Sequence, residues 1–261
     1  MERRSDWYSH PKYYEAIFGT DTEKEMDFLL SVNRYHGTGG SLLLEPACGA
    51  GRLVAEAARR GLDVVGYDIS EPMLAHARRR LSPARRRQVH LFQSRMESFS
   101  APEWEGCVDL AFNLVSTFRY LDSEAAARAH LQSTRRMLKP EGLYVLGFHL
   151  TDYARTTLER ERWVGRVGRE TVICNTREGL PDRPLRRSPM RNRLRISGAG
   201  KDMLIETTWF FRTYDLVEAR RLFRSAGLHL VATYDFDYRL ESPVQRGSNR
   251  LDRVFILRPA L

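Results

Sequence analysis

At 261 residues and 42% hydrophobic content, the chain is long enough to bury a sizeable core and short enough for one domain that carries an insertion. No apolar run approaches the roughly 18 residues that span a bilayer, and the opening "MERRSDWYSHPKYY" lacks the apolar centre of a signal peptide, so the sequence reads as soluble and cytoplasmic, with no membrane partner. The net charge is +9, carried almost wholly by arginine, and Cys48, Cys107 and Cys174 are too scattered for a disulfide framework or a zinc site.

Two helices are expected first. Pro11 suits a first helical position, with Tyr14, Ile17 and Phe18 sharing a face before Gly19. In "TDTEKEMDFLLSVNRYHG", Thr22 and Glu25 have capping-box spacing, Met26, Leu29 and Leu30 form the apolar stripe, and Gly37 is the stop. From Ser41 onward short apolar strands alternate with helical segments, which argues for a doubly wound, mostly parallel sheet with helices on both faces. The expected strands are Leu42–Glu45, Val64–Asp68, Val89–Gln93, Val108–Asn113 and Leu143–His149, with helices beginning near Gly51, Glu71 and Ser123. "FSAPEWEG" is too short and polar for a full helix, and Lys139-Pro140-Glu141-Gly142 reads as a turn.

After His149 the segments "RWVGRVGRETVICNT", "MRNRLRIS" and "MLIETTWFFRTY" are strand-like with no helix between them, and they predict an antiparallel β cap. The turn-rich "REGLPDRPLRRSP" between the first two reads as a mobile loop. A helix returns in "DLVEARRLFRSAG", and "LHLVATYDF" and "RVFILRP" complete a seven-stranded, Rossmann-like sheet. The expected divisions are 1–150 (lid helices and cofactor-binding half), 151–212 (cap insert) and 213–261 (remainder of the main domain).

The chemistry concentrates in "SLLLEPACGAGRLVAEAARRG". Gly49 and Gly51 remove side chains where the backbone turns sharply, and the helix that follows offers free N–H groups to a nucleotide-like ligand. Asp68 ends the next strand 19 residues after Gly49, where a carboxylate accepts from both hydroxyls of a ribose. The dinucleotide fingerprint requires a third glycine where Val54 stands, and a phosphate-gripping loop requires Gly-Lys-Ser or Gly-Lys-Thr where Gly51-Arg52-Leu53 stands. Glu45, just before the turn, repels a pyrophosphate and suits an ammonium group. A ligand with a ribose, no phosphate and an amino-acid end matches these features, and S-adenosylmethionine has those parts.

"LLLEPACGAGR" followed by "VVGYDISEPML" resembles the first two motifs of class I S-adenosylmethionine-dependent methyltransferases. The resemblance extends from about residue 10 to the C-terminus, through "VDLAFNLVSTFRYL" and "LKPEGLYVLGFHL", and is closest to the small-molecule branch that includes sugar-amine and glycine N-methyltransferases. It implies that Glu45 and the backbone of Ala47, Gly49 and Gly51 hold the methionyl end, that Asp68 takes the ribose, and that Ile69 packs on the adenine. Met96, through its backbone, with Ser94 or Glu97 is the expected adenine edge; Arg95 stands where the family usually has an acid, and Ala47 where it has its first glycine. Tyr13 and Tyr14 match a helix that covers the cofactor in relatives. Asn113 matches the place beside the reacting methyl, Thr117, Phe118 and Tyr120 line the acceptor pocket, and His149 is the best-placed base.

The implied activity is direct, in-line methyl transfer to nitrogen or oxygen of a small-molecule acceptor, with no metal. Plainer readings stand beside it: Asp68 capping the next helix, His149 as a structural hydrogen-bond donor, and Phe118, Tyr13, Tyr14 or Tyr120 as core aromatics. Three other functions stay open at this point: a nicotinamide oxidoreductase, opposed by Val54; an RNA methyltransferase drawing on arginine-rich stretches such as "RRRLSPARRR"; and a non-catalytic nucleotide-binding or regulatory protein.

Overall fold

A computed structural model describes residues 2–4, 6–245 and 247–260. In chain order the elements are β1 (Glu2–Arg4), α1 (Pro11–Phe18), α2 (Thr22–His36), β2 (Leu42–Pro46), α3 (Arg52–Arg59), β3 (Asp63–Asp68), α4 (Glu71–Arg80), β4 (Val89–Gln93), β5 (Val108–Asn113), α5 (Glu124–Met137) and β6 (Leu138–His149). There follow β7 (Glu159–Val167), β8 (Glu170–Glu178), β9 (Arg187–Gly198), β10 (Lys201–Arg212), α6 (Leu216–Ser225), β11 (Leu228–Tyr234) and β12 (Asp252–Pro259).

Seven strands form one sheet in the order β11-β12-β6-β5-β2-β3-β4, parallel from β6 to β4 and antiparallel at β11 and β12. Its central strands are buried on both faces, as continuous apolar runs such as Leu42-Leu43-Leu44 require. Asp109 in β5 is a buried charged exception. Its carboxylate accepts from Thr38 Oγ1 at 2.7 Å, Leu42 N at 3.1 Å and Lys139 Nζ at 2.7 Å. Burial alone raises its pKa, but the Lys139 and Thr38 hydrogen bonds bring it below the ordinary value, so the ionised group locks the start of β2 against β5. The strand order reverses between β2 and β5, and the glycine turn therefore lies at the switch point where open α/β sheets bind ligands.

The second sheet runs β1-β10-β9-β8-β7, antiparallel through its four long strands, with β1 parallel to β10. Its inner face packs Val172, Cys174, Leu194, Ile196 and Ile205 against Trp7, Tyr13 and Ile17 from the amino-terminal segment. That packing holds α1 against the cap sheet, whereas α2 packs on the main sheet through Met26, Leu29 and Val32.

Several local expectations are corrected. Thr22 and Glu25 form no capping box: Asp21 is the N-cap, in the left-handed region, and Glu25 pairs instead with Arg52. A true capping box forms at α6, between Asp215 and Glu218. Lys139 to Gly142 is no free turn, because β6 already begins at Leu138 and pairs irregularly with β5 there. The loop expected to be mobile is held: Asp182 bridges Arg187, and Arg186 reaches Glu124 at 2.9 Å and Glu218 at 3.3 Å. No helix is long and apolar enough to cross a membrane among the described residues.

Candidate active site

The turn after β2 is shaped by three residues in the left-handed region, Ala47 (φ 53°), Gly49 (φ 53°) and Gly51 (φ 71°). It is tied to β3 by Cys48 N donating to Tyr67 O at 2.9 Å and by Gly49 N donating to Asp68 Oδ2 at 2.8 Å. The two glycines act differently. A Cβ on Gly49 meets nothing within 4 Å, so the missing side chain leaves open space, whereas a Cβ on Gly51 lies 2.6 Å from Ala77 Cβ, where α3 packs on α4. The other Asp68 oxygen accepts Ser70 N at 2.8 Å, and burial raises the carboxyl's pKa.

Beside the turn, Glu45 is buried and its Oε2 has no hydrogen-bond partner. Burial pushes its pKa up to about 8, Arg52 opposing and the neighbouring Glu25 and Asp68 adding to the rise. Arg52, the first residue of α3, is neutralised by its ion pair with Glu25.

The turn opens into a cavity of about 730 Å³ walled by both sheets and the lid helices. Glu45, Ala47, Gly49, Tyr14, Asn113, Thr117, Tyr120 and His149, all expected from the sequence, line it. Asn113 Nδ2 donates to Pro46 O at 2.8 Å and ties β5 to β2, while its Oδ1 is buried without a donor. Between β5 and the short helix Thr117–Tyr120, Val115 (φ 59°) and Ser116 (φ 64°) are both in the left-handed region, costly above all for a β-branched residue. Ser116 N donates to Gly147 O at 3.0 Å, and its Oγ accepts His149 N at 3.1 Å, so the strained turn is fastened beside His149. The His149 Nδ1–H faces Asp252 Oδ1 at 2.7 Å, which in the neutral ring leaves Nε2 as the basic nitrogen.

Other expected residues lie elsewhere. Phe118 is wholly buried in the core between Phe148 and Tyr214. A three-residue helical turn eclipses positions 117 and 120 and points 118 away from them. Tyr13 turns to the cap sheet, its hydroxyl donating to Glu170 at 2.8 Å. Gly51 is not part of the cavity wall, and its N–H is used by Cys48 O at 2.9 Å. Asp68, Ile69 and Met96 also lie outside the wall. Ile69 is 57% exposed, the Met96 carbonyl accepts from His130 Nδ1 at 3.3 Å, and Glu97 is paired with Arg95 at 2.5 Å. On the cap strands Phe210 is 51% exposed, while Trp163 and Trp209 line the cavity.

The cap, the amino-terminal segment and the stretch after β11 supply further wall residues. Trp7, Tyr8, Trp163, Trp209, Phe211 and Phe236 add aromatic wall, with Tyr8 Oη donating to Tyr120 Oη at 2.7 Å and Tyr120 stacked on Trp209. Burial raises the Tyr8 pKa well above its usual value and takes Tyr14 to about 12, so both stay neutral. Glu159, Glu161 and Glu178 of the cap and Asp252 of β12 also face the cavity. Glu178 pairs with Arg119 at 2.7 Å, Glu159 with Arg155 at 3.3 Å and Asp252 with His149. Glu161 has no basic partner within ion-pair distance among the described residues, and burial raises its pKa despite the nearby His149. The alternation in "ERERWVG" puts Glu159, Glu161 and Trp163 on one face of β7; which face meets the cavity is set by tertiary packing.

Residues 43–142 match the model of a family described as a methyltransferase domain. A putative methyltransferase from Geobacillus sp. (strain WCH70) is 28% identical over 120 residues, 46% of this chain and 47% of that protein. The dTDP-3-amino-3,4,6-trideoxy-alpha-D-glucopyranose N,N-dimethyltransferase of Streptomyces venezuelae is 28% identical over 141 residues, 52% of this chain and 56% of that protein. The matches thus span about half the length of these curated relatives. Among solved structures, Streptomyces venezuelae DesVI superposes with a TM-score of 0.75 at 20% identity, covering 99% of this chain and 100% of that one, and an S-adenosylmethionine-dependent methyltransferase from Clostridium acetobutylicum ATCC 824 superposes with a TM-score of 0.74 at 14% identity, covering 95% of this chain and 96% of that one; the fold is the Rossmann-like methyltransferase fold.

Proposed function

We propose that this chain, whose residues 43–142 match a methyltransferase domain, transfers a methyl group from S-adenosylmethionine to the amine nitrogen of a small-molecule acceptor. One observation carries the reading: the cavity that begins at the glycine turn continues into a chamber whose walls are aromatic and include Glu161, a carboxyl group with no basic partner within ion-pair distance among the described residues. An aromatic wall beside a free carboxylate attracts a cation and gives a neutral or anionic acceptor no advantage.

The donor fits the residues present. Glu45 Oε2 is a buried acceptor with no donor, which an ammonium group satisfies, and the open space at Gly49 allows close approach to the main chain. Asp68 is held by Gly49 N and Ser70 N and keeps lone pairs for ribose hydroxyls. Ile69 and Met96 are left for the adenine, outside the cavity wall, and Tyr14 covers the methionyl side. When bound, the donor supplies an electrophilic methyl on a sulfonium.

The remaining work falls to the chain itself. Trp163, Trp209, Tyr120 and Glu161 gather the protonated amine, and Thr117 and Asn113 wall the passage toward the turn. His149 takes the amine's proton on Nε2, with Asp252 fixing the tautomer and stabilising the imidazolium. Alignment in a closed chamber is worth roughly 7 to 11 kcal/mol of the barrier. Similar proteins support the amine and the sugar class: an N,N-dimethyltransferase of a nucleotide-linked amino sugar, the sugar N-methyltransferase KedS8, and CalS10, an amino pentose methyltransferase seen with S-adenosylmethionine bound. The RNA reading has less support: in the Arg78 to Arg87 stretch, Arg78 pairs with Glu71, Arg80 with Glu15, and Arg85 to Arg87 sit on a short exposed helix outside the cavity wall.

The test is turnover with S-adenosylmethionine and a panel of amino sugars, free and nucleotide-linked, beside their hydroxyl counterparts and RNA. Methylated amine with stoichiometric S-adenosylhomocysteine is expected. Turnover only on hydroxyls or RNA, or no binding of the donor, overturns the proposal.

A further inference from the structure

The other face of the cap sheet carries a second groove, of about 390 Å³, lined by Arg160, Arg162, Arg177, Arg191 and Arg193 with Asn175. Strand alternation sets these side chains opposite to Glu159, Glu161 and Trp163, so the sheet separates the groove from the aromatic chamber. Pairing brings like charges abreast: Arg160 is directly across from Arg177, and Arg177 from Arg191. Directly opposed like charges destabilise a sheet unless something neutralises them. The carboxylate in ion-pair contact with them is Glu206, shared between Arg191, at 2.7 Å, and Arg193, at 2.7 Å. Arg160 and Arg177 have no carboxylate within ion-pair distance among the described residues. Five guanidinium groups against Glu206 and, at the β7 edge, Glu161, with Arg160 and Arg177 directly opposed and without an ion-pair partner among the described residues, form a positive concavity.

We infer that this groove binds a phosphate or diphosphate group of a small ligand. Guanidinium forks match phosphate oxygens two at a time, and neighbouring strands set the forks about 4.8 Å apart, so several reach one diphosphate together. A single-stranded nucleic acid would meet charge here but no stacking platform, since no aromatic side chain lines the groove. The groove also shares Glu161 and Thr176 with the chamber wall, and β7 is the edge strand of its sheet. The phosphate therefore has two available sources: a free anion, or the tail of an acceptor that passes over the β7 edge while its amine enters the chamber.

Calorimetric titration with inorganic pyrophosphate on wild type and on the double variant Arg160→Gln/Arg177→Gln tests the inference without depending on methyl transfer. We expect binding to wild type to weaken at least tenfold in the double variant, with S-adenosylhomocysteine affinity unchanged as evidence of an intact fold. The matched control Arg86→Gln/Arg87→Gln removes the same charge at an exposed helix and is expected to bind pyrophosphate as wild type does. A second arm, which rests on the proposed activity, compares KM for one amine with and without a phosphate tail. A rise in KM for the phosphorylated form alone identifies the acceptor tail as the source, and no change in either identifies a free anion. Equal pyrophosphate isotherms in wild type and R160Q/R177Q, equal weakening in the control, or a preference for RNA over pyrophosphate at matched salt overturns the inference.

Discussion

Asp68, at the tip of β3, accepts the backbone N–H of Gly49, at the turn beyond β2, at 2.8 Å. One carboxylate thus shapes the glycine turn and presents its remaining lone pairs to whatever the turn holds. Removing it has two consequences, because the bend loses its brace and a ribose loses its acceptor. Asp68→Ala is expected to weaken S-adenosylhomocysteine binding by about 100-fold, or about 2.7 kcal/mol, in line with the loss of charge-assisted hydrogen bonds. Asp68→Asn keeps an oxygen for Gly49 and is expected to fall between. Titration calorimetry on the three proteins checks the order, and equal affinities would remove Asp68 from the ligand site.

The two glycines of the turn separate stability from binding. Gly51→Ala places a methyl 2.6 Å from Ala77 Cβ at φ 71°, so α3 must move off α4. The expected cost is about 2 to 4 kcal/mol, from left-handed strain and overpacking together, and Ala77→Gly in the same chain is expected to restore part of it. Gly49→Ala meets no protein atom and carries only the strain of φ 53°, about 1 kcal/mol. Its methyl instead fills ligand space. Chemical denaturation is expected to show a small loss and calorimetry a large one for Gly49→Ala, the reverse of Gly51→Ala.

What could be read in the chain before its fold follows from where the information is local. The parallel strands were legible because burial on both faces demands uninterrupted runs such as those of β2 and β5. That Glu45, Gly49 and Asp68 lie together was legible because two neighbouring strand tips fix their spacing; their part in ligand binding is what the titrations test. Phe118 was misplaced because a helix of three-residue repeat, not a strand, follows Asn113, and that repeat sends Thr117 and Tyr120 to the cavity and Phe118 to the core. Glu25 has the spacing of a cap but is drawn away by Arg52, a partner 27 positions on. Glu161 and the outer arginines of the cap are visible as an alternation in β7. Which face meets the chamber is decided by Trp7, Tyr13 and Ile17 packing under the sheet, from segments far away in sequence.

Glu45 makes ligand binding depend on pH. Its pKa, raised by burial from 4.5 to about 8, leaves it protonated at neutral pH in the empty site, whereas an ammonium group binds its ionised form. Affinity for S-adenosylhomocysteine is therefore expected to rise between pH 6 and 8, by up to about tenfold per pH unit, and to release up to one proton at pH 7. Calorimetry in buffers of different ionisation enthalpy measures that proton. Stability has the opposite sign: between about pH 4.5 and 8 the folded chain holds a proton on Glu45 that the unfolded chain has lost, so this residue's contribution falls as pH rises. Glu45→Gln is expected to remove both dependences and to weaken binding at pH 8. An affinity that is flat from pH 6 to 8 in wild type would mean that the buried acceptor does not meet the ligand's ammonium.

His149 and Asp252 divide one task between a base and the group that orients it. The His149 backbone is tied by its N–H to Ser116, and the imidazole itself is held by Asp252 at Nδ1 and by the Phe236 ring at 4.8 Å, which together direct its other nitrogen. If that nitrogen takes the acceptor's proton, His149→Gln lowers kcat about 10²-fold and leaves S-adenosylhomocysteine affinity and acceptor KM nearly unchanged, because the ring does not hold either molecule. Asp252→Asn keeps the ring in place but no longer stabilises the imidazolium, and a smaller fall in kcat of about tenfold is expected. A structural role predicts a different pattern: His149→Gln would lower thermal stability and raise both KM values, with kcat retained in whatever enzyme remains folded. Steady-state kinetics together with thermal denaturation of the two variants therefore decides whether the strained Val115–Ser116 turn is there to aim a base or only to close the end of β6.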